Sequence, residues 1–456
     1  MASKTNSTAL LLLMAMAAFI TPFMGSAVNV ALPSMTKELS LNAIMLSWMQ
    51  TSFILATAIF LVPLGRLADI YGRRRFFLLG FMVFTLASLA LAFSPNAWFL
   101  LVMRVFQGFG GAMAFSTSMP ILISVFPPER RGRTLGFTTA ATYVGLSLGP
   151  LVGGLLTQYL GWRYVFLFNV PIGLMCIFFG KKLIVEEWRP AKGDEFDFKG
   201  AVLYGVSLAF LIFGFSNLPH VRGWLLLSGM VVSFSMFTVW EFRIESPLLD
   251  LRMFRDNSVF AFSNLAALIN YSATYAVGFM LSLYLQYAKG LSPREAGMVL
   301  VSQPVFMALL SPYAGRLSDR IDPRYLASVG MGLTAAVLFS FYFLSGGTSL
   351  SILISSLAVL GISFALFSSP NTNAVMSSVE KKFYSVASGT LGTMRMTGQM
   401  LSMGIATLVF ALYLGNDPID ASHRDVLVSC VNITFAICGI LCFIGVFASL
   451  ARGKVR

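Results

Sequence analysis

Charge is what this sequence has least of. Only 11% of its 456 residues are charged, against about 25% in an ordinary soluble globular protein, and 57% are hydrophobic. That balance excludes a soluble enzyme or binding module and leaves an integral membrane protein. Histidine is down to two residues, and the four cysteines, Cys176, Cys430, Cys438 and Cys442, all stand in apolar runs. They read as packing residues rather than a disulfide frame, and with no His or acid beside them no metal site is expected. No Gly-x-x-x-x-Gly-Lys-Ser/Thr phosphate loop is present, which disfavours an energised pump. No nucleophile–base cluster suggests an enzyme, and no cofactor is expected. Carboxylates are scarcest where they would matter most. None of the 19 acidic residues falls in the middle of an apolar run; Glu241 and Asp425 come nearest, at run ends. No mid-membrane side chain is therefore expected to act as a conventional proton carrier.

What is abundant is apolar length. Runs long enough to cross a bilayer, about 20 residues each, number fourteen: 9–33, 47–65, 76–94, 97–124, 134–158, 163–184, 200–217, 223–242, 258–285, 296–315, 326–345, 350–370, 385–414 and 425–450. The chain is expected to be an all-α membrane protein with the lipid bilayer as its first partner. An even number of spans puts both termini on one side. With that topology, twenty-four of the 32 lysines and arginines fall on one face, six on the other, and Arg104 and Arg395 inside spans. The excess marks the cytoplasmic face and predicts cytoplasmic termini. The net charge of +13 thus sets topology and meets anionic lipid; it does not point to nucleic acid. The first run resembles a signal peptide in its Lys4 and Ala15-Met16-Ala17, but it continues too far and reads as an uncleaved first helix.

Two charged elbows interrupt the apolar pattern. GRLADIYGRRR, Gly65 to Arg75, sets Asp69 among four arginines, and GRLSDRIDPR, Gly315 to Arg324, repeats it 250 residues later with Asp319. Each is predicted to be a short cytoplasmic loop. Asp69 is placed to accept from an arginine such as Arg73 or from a helix N-terminus. The elbows follow spans 2 and 10, so two six-helix halves, 1–187 and 256–456, are expected to flank an inserted helix pair with linkers, 188–255.

Other motifs lie inside spans. LLVMRVFQGFGGA carries Arg104, Gln107 and Gly108; a charge there costs a few kcal/mol or more unless paired or wet. GLSLGPLVGGLL repeats glycine at 145, 149 and 153 around Pro150, a bare helix face with a kink. Together with the elbows, WRYVFLFNVPIG (162–173), NVALP (29–33) and SPLLDLR (246–252), these motifs resemble the fourteen-helix drug:proton antiporter branch of the major facilitator superfamily, over nearly the whole chain. The resemblance implies a fold of two six-helix halves plus two extra helices. It also implies a prokaryotic plasma membrane, an amphipathic small-molecule substrate, export, and protons as coupling ion. It assigns conformational or coupling roles to Asp69, Arg73, Arg104, Gln107, Gly108, Gly145, Gly149, Pro150, Gly153 and Asp319. One departure stands out: where many members of that branch carry an aspartate in the first helix, this chain has Met24.

Polar and adaptable residues inside spans predict a cavity lining near the midplane between the halves. The candidates are Met24, Asn29, Gln50, Thr117 and Tyr143 in the first half, and Asn270, Tyr271, Gln303, Asn371, Arg395 and Gln399 in the second. There are 24 methionines in all, and their adaptable side chains suit varied apolar ligands. Two alternatives stay open. The two intramembrane arginines suit a specific metabolite or organic anion, moved without a conventional proton carrier. A non-transporting receptor is disfavoured by the retained elbows and bare helix face.

Overall fold

A chain segment in hydrocarbon must satisfy its backbone hydrogen bonds internally, and every apolar run does so as a helix. The computed structural model describes residues 7–126, 128–249, 251–380, 383–415 and 423–453. Among them are fourteen helices long and apolar enough to cross a membrane. These are α1 (Ser7–Leu39), α2 (Ala43–Tyr71), α3 (Arg73–Ala92), α4 (Ala97–Val125), α5 (Pro128–Tyr159), α6 (Arg163–Leu183) and the pair α7 (Phe198–Ser216) and α8 (Val221–Glu241). They continue as α9 (Ser258–Ala288), α10 (Pro293–Ser318), α11 (Pro323–Phe341), α12 (Leu350–Ser377), α13 (Tyr384–Tyr413) and α14 (Arg424–Ala451). Of the residues used above, Lys4, Asp250, Lys381, Lys382, Lys454 and Arg456 lie outside the described residues, as do the side chains of Arg130, Arg131 and Arg133.

The halves repeat one packing scheme. In the first, α1 packs on α5, α4 on α2 and α3, and α6 on α3 and α1; in the second, α9 packs on α13, α12 on α10 and α11, and α14 on α11 and α9. Partners shift by eight helices rather than six, and α7 and α8 lie in the chain between the two sets. They pack on each other, and α7 also lies against α2 and α13.

The first elbow is not a loop. Helix α2 runs on through Asp69 to Tyr71 and α3 starts at Arg73, with Gly72 alone between them. Its φ of 130° is a conformation that only glycine adopts without strain, so one residue reverses the chain. The charged residues sit on helix ends that extend past the apolar run. The same extension lengthens other spans, and α1 carries six helical residues beyond Pro33.

Candidate functional site

The two halves enclose a cavity of about 300 Å³, at the lower end of the range for small-molecule sites. Its wall is aromatic and hydroxylic: Phe53, Phe115, Tyr143, Tyr271, Tyr275 and Phe364 with Thr21, Thr139, Thr142 and several methionines. Among the lining residues the one charged side chain is Arg395. Its Nη2 donates to Thr372 Oγ1 at 2.8 Å and its guanidinium lies 5.6 Å from the Tyr271 ring centroid. No ion pair to Arg395 exists among the described residues, and its Nε is buried without an acceptor.

Six of the predicted lining residues line this cavity: Asn29, Tyr143, Tyr271, Gln303, Arg395 and Gln399, with Pro150 beside them. The other five are placed behind its wall. Met24 is fully buried and its sulfur accepts from Asn169 Nδ2. Thr117 bonds the carbonyl of Met113 in its own helix, Asn371 Nδ2 donates to Ser263 O at 3.0 Å, and Asn270 and Gln50 are enclosed. Sequence reasoning missed Phe115, Phe364 and the α5 threonines. Thr138, Thr139 and Thr142 recur at helical spacing on α5, a hydroxyl stripe that could have been read.

The cavity is sealed away from the elbows. Between the halves, Ser282 Oγ donates to Asn29 O at 2.7 Å, Gln286 Nε2 to Val30 O at 3.0 Å, Thr407 Oγ1 to Ser47 Oγ at 3.0 Å, and Arg294 Nη1 to Tyr159 Oη at 3.1 Å. All four lie toward the end remote from the elbows. The cavity itself runs the other way, past Met14, Leu122 and Thr138.

Arg104 is one layer behind the wall and 0% exposed. Its Nε donates to Met49 O at 2.8 Å, Nη1 to Gln107 Oε1 at 2.7 Å and Nη2 to Gln50 Oε1 at 2.9 Å, and its guanidinium faces the Phe53 ring at 4.6 Å. Gln107 in turn donates to Ser88 Oγ of α3, and Gln50 to Gly25 O of α1 and Tyr275 Oη of α9. One guanidinium thus anchors a network that joins α1, α2, α3, α4 and the opposite half. Gly108 meets the α2 backbone at Phe53 O, so any side chain there would push the arginine's two helices apart.

A family model described as the Major Facilitator Superfamily matches residues 14–257 and 264–455. The chain belongs to this superfamily. It is 27% identical over 440 residues to the riboflavin transporter RibZ of Clostridioides difficile, covering 96% of each chain. It is 30% identical to the multidrug resistance protein Stp of Mycobacterium tuberculosis, over 85% of this chain and 73% of that one. A crystal structure of a bacterial homolog of the human lysosomal transporter Spinster, inward-facing and unoccupied, superposes with a TM-score of 0.70 at 15% identity, covering 99% of this chain and 98% of that one.

In this major facilitator the first elbow is a clamp between helices. Arg73 Nε donates to Asp69 Oδ1 at 2.6 Å, and its Nη1 reaches Ser124 Oγ at 3.1 Å and Pro120 O at 3.4 Å on α4. The linker after α6 docks onto it: Arg66 pairs with Asp194 at 2.7 Å, Glu187 accepts from Arg74 N at 2.8 Å, and Ala191 N donates to Asp69 O at 3.1 Å. The second elbow is built differently. Pro323 stands where Arg73 stands in the first, and Asn373 Nδ2 donates to Ser318 Oγ at 3.0 Å and Asp319 Oδ1 at 3.5 Å. Asp69→Asn keeps the shape but removes a charge-assisted bond worth about 1.5–3 kcal/mol. We expect it to shift the balance of conformers by that order and to slow transport. Wild-type flux, with unchanged labelling of cysteines placed in the cavity, would show the clamp to be dispensable.

Proposed function

We propose that this transporter is a secondary-active exporter that takes amphipathic small molecules from the cytoplasm and releases them across the membrane in exchange for protons. The observation that carries the reading is the cavity: apolar and aromatic, between the halves, sealed at the far end and extending toward the elbows. The excess of basic residues on the elbow side marks that side as cytoplasmic, so the cavity faces the compartment from which an exporter loads. The names of the relatives, a riboflavin transporter and a multidrug resistance protein, support a flat aromatic cargo that stacks on the tyrosine and phenylalanine walls. The Asp69 elbow and the linker acids offer exchangeable carboxylates at the membrane edge.

A second reading, export of an organic anion, draws support from Arg395. A guanidinium in a low-dielectric wall, with no carboxylate partner among the described residues, attracts an anion and holds a carboxylate or phosphate with two parallel bonds. Proteoliposomes with an imposed pH gradient, tested with riboflavin, a lipophilic cation and an aromatic carboxylate, separate the two. We expect flux that follows the pH gradient and moves internal pH. Arg395→Gln is expected to cut carboxylate flux tenfold or more and to spare the neutral substrate. Flux of the carboxylate that neither moves protons nor responds to pH would overturn antiport in favour of the anion reading.

A further inference from the structure

The sequence places its acids at the edges of spans, and two of those edges meet. Asp197 precedes the first residue of α7 and Glu241 is the last residue of α8. The two side chains are among the few buried acids of the chain, at 5% and 2% exposure. Asp197 Oδ1 is fully used: it accepts from Gly200 N and from Trp240 Nε1, each at 2.9 Å. Glu241 Oε2 accepts from Leu249 N at 3.1 Å. The other two oxygens, Asp197 Oδ2 and Glu241 Oε1, are buried and have no donor. They face one another over Gly200. A Cβ on that residue would overlap Oδ2 and lie 2.7 Å from Oε1, so only glycine leaves the pair its space. The two carboxyls are within hydrogen-bonding reach of each other.

Among the described residues, nothing cationic neutralises them. Neither acid has an ion-pair partner among the described residues. Arg66 of α2 is taken up by Asp194, and Lys199 of α7 lies over the Trp240 ring with its Nζ 5.0 Å from the centroid. Arg252 donates to Phe242 O, and Tyr204 of α7 donates to Ala58 O. The remaining charged residues between α8 and α9 are Arg243, Glu245, Asp250, Arg255 and Asp256. Two facing carboxylates cannot both stay ionised out of water. A hard cation takes six or more oxygens, and two bare ones do not make such a site.

We propose that Asp197 and Glu241 form a proton-binding site in the inserted helix pair, with one proton held between Asp197 Oδ2 and Glu241 Oε1. The helix ends decide which acid carries it. Asp197 caps a helix N-terminus, where the dipole and two N–H donors stabilise its charge. Glu241 ends a helix, where a negative charge is opposed. Glu241 is therefore the acid and donates an O–H to the Asp197 carboxylate, a short, strong bond of the charge-assisted type. Losing the proton puts two charges face to face where the start of α7 lies against the end of α8. Helix α7 leans on α2 and α13, through Tyr204 against Ala58 and through Phe215 against Gly404, and α2 and α13 are bonded to each other across the seal by Ser47 and Thr407. A coupling role for the site deepens the proton-exchange reading and rests on it.

The test reads the proton directly. Infrared spectra of the full chain, recorded across a pH series, are expected to show a protonated-carboxyl band at neutral pH that disappears as pH rises. Glu241→Gln should abolish it, and Asp197→Asn should do the same. In Glu241→Gln the new amide N–H still donates to Asp197, so the fold is kept. Glu295→Gln, on an exposed acid, should leave the band in place. Because the folded chain holds a proton that the unfolded chain releases, the wild-type melting midpoint should fall as pH rises through that loss, and the Glu241→Gln midpoint should not. A wild-type spectrum without the band, or a band that survives Glu241→Gln, overturns the site. With the band gone, an undiminished response of flux to a pH gradient in Glu241→Gln overturns the coupling role alone.

Discussion

Replacing Arg104 by leucine is expected to abolish transport and to lower the melting midpoint more than any single change in the cavity wall. The arginine is a buried cation with no carboxylate partner among the described residues. Its charge is spread over the Gln107 and Gln50 side-chain oxygens and the Met49 carbonyl, with the Phe53 ring against its face. Leucine fills part of the volume and leaves two amide oxygens bare in an apolar interior, at roughly 1–3 kcal/mol each. It also frees Gln50, which holds Gly25 of α1 and Tyr275 of the other half. Arg104→Lys keeps the charge, but a single ammonium cannot span acceptors on two helices in the fixed geometry of a guanidinium. Partial rescue is expected there. The four buried cysteines serve as the reporter, since a thiol-reactive dye reacts only as the fold opens. An Arg104→Leu protein that melts and transports like wild type would show the network to be ornamental.

That expectation also marks the limit of what residue pattern can reveal. The presence of Arg104 inside a span was legible from hydropathy, because a charge among apolar residues has no other reading. Its partners were not: Gln50 is 54 residues away, and only the packing of α2 on α4 brings them together. The fourteen spans were legible because lipid allows little but helices of a set length. Residues on the cavity wall were half legible. Asn29 and Asn371 look alike in sequence, yet one faces the cavity and the other is used up on Ser263 O. Polarity marks a residue that needs a partner; it does not say whether the partner is a ligand or a neighbouring helix. In the sequence the elbow reads as a loop because charge ends the apolar run there. The helix continues because, beyond the apolar layer, a charged helix end is solvated as readily as a charged loop. Glu241 reads as a span-end acid and Asp197 falls in the linker that precedes α7, and nothing short of the α7–α8 packing makes them a pair.

The glycines of α5 separate packing from motion, and two substitutions are expected to show it. Along one edge, Gly145, Gly149 and Gly153 lie on the α1 backbone. A Cβ on Gly145 would sit 2.5 Å from Phe19 O, one on Gly153 would sit 2.7 Å from Ala27 Cα, and one on Gly149 would overlap Ser26. This contact is inside one half and does not open in any rocking of the halves. Gly149→Val should therefore cost stability, on the order of 1–3 kcal/mol or more for overpacking, and transport should fail with it. Along the other edge α5 meets the opposite half. Gly154 lies 2.6 Å, by its missing Cβ, from Pro293 O, and Gly297 of α10 abuts Pro150 O. That contact belongs to the seal and must part when the cavity opens to the far side. Gly297→Val should leave each half folded and pry the seal apart, moving the population toward the far-open state. The measurement is labelling of a cysteine at position 29, which lines the cavity, by a membrane-impermeant maleimide from each face. Wild type should label from the elbow face, and Gly297→Val should label from the far face with a melting midpoint close to wild type. If Gly297→Val instead melts early and still labels only from the elbow face, its contact is packing like that of Gly149, and the far end is not the moving gate.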